Sequence, residues 1–188
     1  MRIKYNAPTV LTFTLFCAIL MFLSSTFFRG LNEFWFMVPG KNHFNISNFR
    51  NWITLITHIC GHANWSHFIA NFTLMLLIGP MLEENYGSLS LLLMITITAL
   101  VTGILNVLFF NSALMGASGV VFMMILLSSF TNFTKGEIPL TFILVLILYM
   151  GVQLLESFNS EGSNISHFAH IIGGLCGSFF GFFRPPKR

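Results

Sequence analysis

The 188-residue chain is 55% hydrophobic and only 8% charged, with a mean hydropathy of +0.79, which is too little charge to cover a soluble domain of this size. Six membrane spans of roughly 20 residues each would occupy about 120 positions and leave about 68 for loops and tails, so a separate soluble domain is excluded. Nine Lys and Arg residues give a net charge of +3, too dispersed for a nucleic-acid footprint, and the chain contains no Asp.

The first uncharged stretch, residues 7–28, predicts a retained span, being too long for a signal peptide and lacking its small-residue cleavage site. From Arg29 to about Thr57 the charges are interleaved with Phe34, Trp35, Phe36, Phe44, Phe49 and Trp52, a composition suited to a long, partly embedded interfacial loop. A second span over 64–82 is expected to stop at Glu83-Glu84-Asn85-Tyr86-Gly87-Ser88. Residues 89–134 carry no charge and are too long for one span; the polar break at Asn111-Ser112 divides them into spans 89–110 and 117–134. Span five covers 138–155, with Pro139 near its first turn, where the missing N–H costs little. A loop rich in Ser, Asn and Gly, Glu156 to Ser166, leads to a sixth span over 167–183. The expected fold class is all-α, a polytopic membrane protein with one six-span domain over residues 1–188. Cys17, Cys60 and Cys176 are odd in number, scattered and without a CxxC pair, so they read as core packing rather than as a disulfide framework or zinc ribbon.

Six spans place both termini on one side of the bilayer. Arg2, Lys4, Lys135, Arg184, Lys187 and Arg188 fall on that side and Arg29, Lys41 and Arg50 on the other, and six against three predicts cytoplasmic termini. Spans two, four and six then begin at the outer face, where the polar residues collect: His62, His67 and Asn71 on the second, Gly116-Ala117-Ser118-Gly119 on the fourth, His167 and His170 on the sixth. Polar groups inside a membrane are costly and face the bundle interior, so three sets at one depth point to function. A serine near a histidine is the minimum for nucleophilic catalysis, with the imidazole as general base. His67 and Asn71, spaced i, i+4, project from one helix face as candidate oxyanion donors, and the helix-end N–H groups beside Ser118 are unpaired donors of the same kind.

Each residue also has a plainer reading. A lone serine in an apolar helix more often hydrogen-bonds back to its own helix. A lone histidine at a helix end is usually interfacial, and Asn71 could be an interhelical hydrogen bond. The Gly173, Gly177 and Gly181 stripe reads as close helix packing, which would draw His170 towards a neighbour such as the Gly116 to Gly119 end of span four. His58-Ile59-Cys60-Gly61-His62 has metalloprotease histidine spacing but lacks the Glu and a third ligand. No metal or other cofactor is expected. Gly116-Ala117-Ser118-Gly119-Val120 fails the nucleophile-elbow pattern because Val120 replaces its second glycine. A small transporter would need a polar path to the membrane midplane, and here the polar groups stop near one face.

Taken together, His67-x-x-x-Asn71, the GASG segment with Ser118, and Ala169-His170-x-x-Gly173-x-x-x-Gly177, in that order on those spans, resemble the rhomboid intramembrane serine proteases of the compact bacterial type. His58 and His62 before His67, and Gly79 with Glu83 and Gly87-Ser88 after it, extend the likeness. The resemblance implies a six-helix rhomboid-like bundle with a Ser118 and His170 catalytic dyad. It further implies an oxyanion site from His67, Asn71 and the Ser118 N–H, and helix packing at Gly116, Gly119, Gly173 and Gly177. A capping loop over Glu156 to Ser166, transmembrane protein substrates among membrane lipids, and a bacterial inner-membrane location with the site open to the outer face follow from the same likeness. A catalytically inactive relative that binds or escorts membrane proteins is the alternative. The chain departs from the family twice: Arg50-Asn51-Trp52 is followed by Ile53-Thr54 where many members carry Trp-Arg, and Phe122 stands where bacterial members often have a Tyr stacked on the catalytic histidine.

Overall fold

The computed structural model describes residues 3–131, 137–151, 164–184 and 186. Among them the regular structure is helical: α1 Pro8–Thr26, α2 Leu31–Trp35, α3 Phe49–Thr57, α4 Trp65–Tyr86, α5 Ser88–Phe109, α6 Ser118–Ser128, α7 Leu140–Val145 continuing into a π-turn at Leu146–Met150, and α8 Asn164–Phe183. α1, α4 and α5 are each long and apolar enough to cross a membrane, whereas α6 and the His167–Phe183 part of α8 are shorter apolar helices.

Local chemistry explains the helix ends. Pro8 opens α1 at a position whose N–H would lack an intrahelical partner. The Asn64 side chain caps α4 by accepting the His67 N–H at 2.8 Å. α4 passes through Glu83-Glu84-Asn85-Tyr86, beyond the expected stop at 82, and ends at Gly87, whose φ of +82° suits glycine and turns the chain directly into α5. Glu83 is the reason the acids are tolerated: its buried carboxylate accepts the Thr9 N–H at 2.8 Å and the Val10 N–H at 3.0 Å, satisfying the open first turn of α1. The expected fourth span, 117–134, is shorter, since α6 ends at Ser128 and residues 129–131 form a turn; residues 132–134 lie outside the described residues, as do 152–155 of the expected fifth span and 156–163 of the expected capping loop. Residues 164–166 form the first turn of α8.

The segment between α1 and α4 is more ordered than a loop. Asn48 caps α3 by accepting the Arg50 N–H at 3.1 Å, and α3 then packs on α5 where Gly103 leaves no room for a Cβ against the Leu55 carbonyl. Val38 and Leu114 form an antiparallel bridge with bonds of 2.9 and 3.0 Å, and the Arg50 guanidinium lies 4.4 Å from the Phe34 ring centroid. These contacts hold the segment in place without the Trp-Arg motif.

At the centre stands α6, packed against α4, α5, α7 and α8. Gly173 and Gly177 of α8 meet the backbone carbonyls of Gly119 and Met123 so closely that a Cβ at either position would overlap them. This is the small-residue packing by which helices approach each other where hydrophobic burial from water is not available.

Candidate active site

The cross-over of α4, α6 and α8 leaves a cavity of about 290 Å³. His67, Ala70, Asn71 and Leu74 line it from α4, Ser118, Val121 and Phe122 from α6, and His170 from α8, with Leu114 and Met115 from the segment before α6. His67, Asn71, Ser118 and His170, singled out in the sequence, thus line one partly open cavity. Gly119 and Gly173 lie behind it at the helix contact, where the Gly119 Cβ position is 3.2 Å from the Ala169 carbonyl oxygen.

The donors and rings around the cavity are held by different means. Asn71 is buried, and its Nδ2 donor has no hydrogen-bond partner among the described residues. A buried donor left unmatched costs on the order of 1–3 kcal/mol, so a group of this kind is suited to an acceptor that arrives from outside. The Phe122 and His170 rings are parallel, 5° apart in plane and 4.2 Å between centroids, which fixes the imidazole plane over the cavity. His167 sits 6.4 Å from the His170 ring, perpendicular to it.

Ser118 occupies the first turn of α6, where backbone N–H groups lack intrahelical acceptors. The approach to it is set by Gly116, whose φ of +131° is a conformation side chains rarely adopt and whose Cβ would fall 2.7 Å from His67 Cε1. The backbone before the serine is held by the turn at 58–62. The Gly116 N–H donates to the His58 carbonyl at 3.0 Å, and the Ala117 N–H donates to His62 Nε2 at 3.4 Å. Asn32 in turn donates from Nδ2 to the His62 carbonyl at 2.8 Å, and Thr102 Oγ1 lies 3.4 Å from His58 Nε2.

His58 and His62 are almost wholly enclosed. Burial pushes the His58 imidazole down to about 4, with the Thr54 and Leu55 carbonyls opposing. His62 is pushed down to about 4 by burial first and by His67 second, with the Cys60 carbonyl opposing. Both are neutral at pH 7. Among the described residues no group of three or more His, Cys, Asp or Glu side chains could hold a metal ion.

Sequence reasoning missed Asn32, Thr102 and the structural part played by Glu83. Asn32 and Thr102 carried no local signal, since an asparagine in a loop and a threonine in an apolar helix are each ordinary; the paired acids at 83–84 were visible but pointed to a helix end.

A family model described as Rhomboid domain matches residues 50–187. Three relatives are similar in sequence. "Rhomboid-like protein 11, chloroplastic" of Arabidopsis thaliana is 25% identical over 162 residues, covering 78% of this chain and 58% of that protein. "Rhomboid protease GlpG" of Haemophilus influenzae is 25% identical over 128 residues, 66% of this chain and 67% of that protein. "Rhomboid-related protein 1" of Caenorhabditis elegans is 30% identical over 134 residues, 64% of this chain and 36% of that protein. The chain therefore spans between about a third and two thirds of the length of these relatives.

Proposed function

The chain belongs to the rhomboid family, and from that premise we propose that it is an intramembrane serine endopeptidase that cuts a substrate's transmembrane helix at or near its outer end. The observation that carries this reading is the convergence of Ser118, His170, His67 and Asn71 on one cavity. The name of the Haemophilus influenzae relative, a rhomboid protease, supports it.

In the proposed chemistry His170 takes the Ser118 hydroxyl proton as Oγ attacks the scissile carbonyl. The oxyanion that forms receives hydrogen bonds from Asn71 Nδ2, His67 and the Ser118 N–H. His170 then returns the proton to the leaving amine, the C–N bond breaks, and an acyl-serine remains. Water, giving a proton to His170, adds to the acyl carbon; as the C–Oγ bond breaks, His170 passes that proton to Oγ, which releases the carboxylic acid and restores the Ser118 hydroxyl and the neutral imidazole. No metal takes part in these steps.

We place this site in a six-span bundle with cytoplasmic termini, opening to the outer face of a bacterial inner membrane. The finer arrangement is supported by the basic residues flanking the spans. A substrate helix hides its carbonyls in its own hydrogen bonds, so the cut segment must unwind, which favours Gly, Pro or small polar residues there.

The test is labelling of the full chain in detergent with a fluorophosphonate, locating the adduct by mass spectrometry in wild type, Ser118→Ala and His170→Ala. Adduct on Ser118 that both substitutions abolish is the expected result. A folded wild-type protein that takes up no label would overturn the protease reading and favour a catalytically inactive relative that binds or escorts membrane proteins.

A further inference from the structure

Of the three peptide groups from Met115 to Ser118, the first two are tied to the 58–62 turn. The Met115–Gly116 peptide donates its N–H to the His58 carbonyl, and the Gly116–Ala117 peptide donates its N–H to His62 Nε2. Ala117 is the N-cap of α6 and offers no side-chain cap. His62 is in turn closely surrounded. It is 1% exposed, its carbonyl accepts from Asn32, and its ring meets Phe68, Phe72 and His67 edges or faces at centroid distances of 5.6, 5.4 and 5.0 Å.

We propose that His62 is a positioning residue for the serine: its unprotonated Nε2, as acceptor for the Ala117 N–H, fixes the peptide plane that aims Ser118 into the cavity. This rests on the protease reading and adds a residue to it. The Ala117 N–H faces the ring at 3.4 Å, so Nε2 is the acceptor and the imidazole carries its hydrogen on Nδ1, a buried atom with no hydrogen-bond partner among the described residues. Displacement of a reacting group by about 1 Å can cost about 10²-fold in rate, so loss of the acceptor acts on the chemistry and leaves binding of a probe in the cavity largely unchanged.

Glutamine places an amide oxygen near the position of Nε2, whereas leucine keeps apolar bulk without an acceptor. Fluorophosphonate labelling of Ser118 is therefore resolved into its maximal rate and half-saturating concentration for wild type, His62→Gln and His62→Leu. The expected result is a maximal rate lowered at least about tenfold in His62→Leu, with half-saturation unchanged, and restored to within about threefold of wild type in His62→Gln. Equal rates in wild type and His62→Leu would overturn the proposal. So would a His62→Gln protein as slow as His62→Leu, which would mean that the ring's packing matters and its acceptor does not. If His62→Leu does not fold, a slow His62→Gln still overturns the proposal, and otherwise the tautomer of the wild-type ring decides. ¹⁵N spectra of histidine-labelled wild type at pH 7, with His62 assigned by its loss in His62→Gln, give a second reading. The Nδ1–H tautomer is expected, and an Nε2–H tautomer or an imidazolium would overturn the proposal. Because the tautomer needs no labelling, a wild type that never labels sinks the protease reading while leaving the His62 bond to be judged separately.

Discussion

α6 and α7 are both apolar, yet their surroundings are opposite. Every α6 residue from Gly119 to Leu127 is buried, while on α7 and its π-turn Phe142 is buried and Leu140, Ile143, Leu144, Ile147 and Leu148 are exposed. Phe142 holds its end of the bundle through the rings of Phe130 and Phe182, at 4.8 and 5.6 Å. An apolar helix buried on every side is packed by protein, whereas one with a single buried ring among its described residues meets the bundle along one side. The difference is that the serine is carried on the helix whose residues 119–127 are all buried, whereas α7 meets the bundle chiefly through one ring.

The sharpest way to break this contrast is at Gly173. Gly173→Leu forces a side chain onto the Gly119 carbonyl, and the expected loss is about 3 kcal/mol in unfolding free energy, the upper end for overpacking. Ile147→Ala, on the exposed π-turn, should stay within about 0.5 kcal/mol of wild type. Unfolding in mixed detergent micelles checks both, and a Gly173→Leu protein as stable as Ile147→Ala would erase the distinction between centre and periphery.

Acid supplies a second probe of the rigid side. Folded His58 and His62 titrate near 4 against 6.5 for a free imidazole, so below pH 6.5 the unfolded chain takes up protons first. Their stabilising contribution is complete above pH 6.5 and is lost as pH falls towards 4, by up to about 1.4 kcal/mol per pH unit for each histidine. Unfolding measured from pH 7 to 4.5 should show this slope, and His62→Gln should make it shallower. A flat profile would show that these histidines are accessible to protons in the native state.

The smallest expected effect is at Phe122. Phe122→Leu removes the ring stacked on His170, a contact worth about 0.5–1.5 kcal/mol, and should slow fluorophosphonate labelling by up to about tenfold. Phe122→Tyr keeps the stack and should label at nearly the wild-type rate. Equal labelling by Phe122→Leu would mean that the imidazole is oriented without its ring neighbour.

The long helices were legible because a run of about 20 apolar residues without charge is suited to a bilayer and to little else, and the polar sets stood out because membranes make such residues expensive. The glycine stripe was legible as spacing, since 173, 177 and 181 fall on one face. What could not be read was anything whose reason lies far along the chain. Glu83 and Glu84 looked like a helix stop because the α1 N–H groups that take up Glu83 are 73 and 74 residues away. The α3 helix was hidden in a segment whose aromatic residues suggested an interface, although Asn48 ahead of Phe49 was a usable capping signal. The bridge between Val38 and Leu114 and the tie from Asn32 to His62 belong to the same class, visible only once the helices are assembled.

The contact of Gly119 with Gly173 also bears on the order of synthesis. α6 leaves the ribosome before α7 and α8, so the nascent chain holds Ser118 in the membrane before His170 exists. On the proposed chemistry, a partly made chain carries a nucleophile without its base and is harmless to other proteins being inserted beside it. On the same proposed chemistry, it is the docking of the glycine stripe onto α6 that would bring the base to the nucleophile.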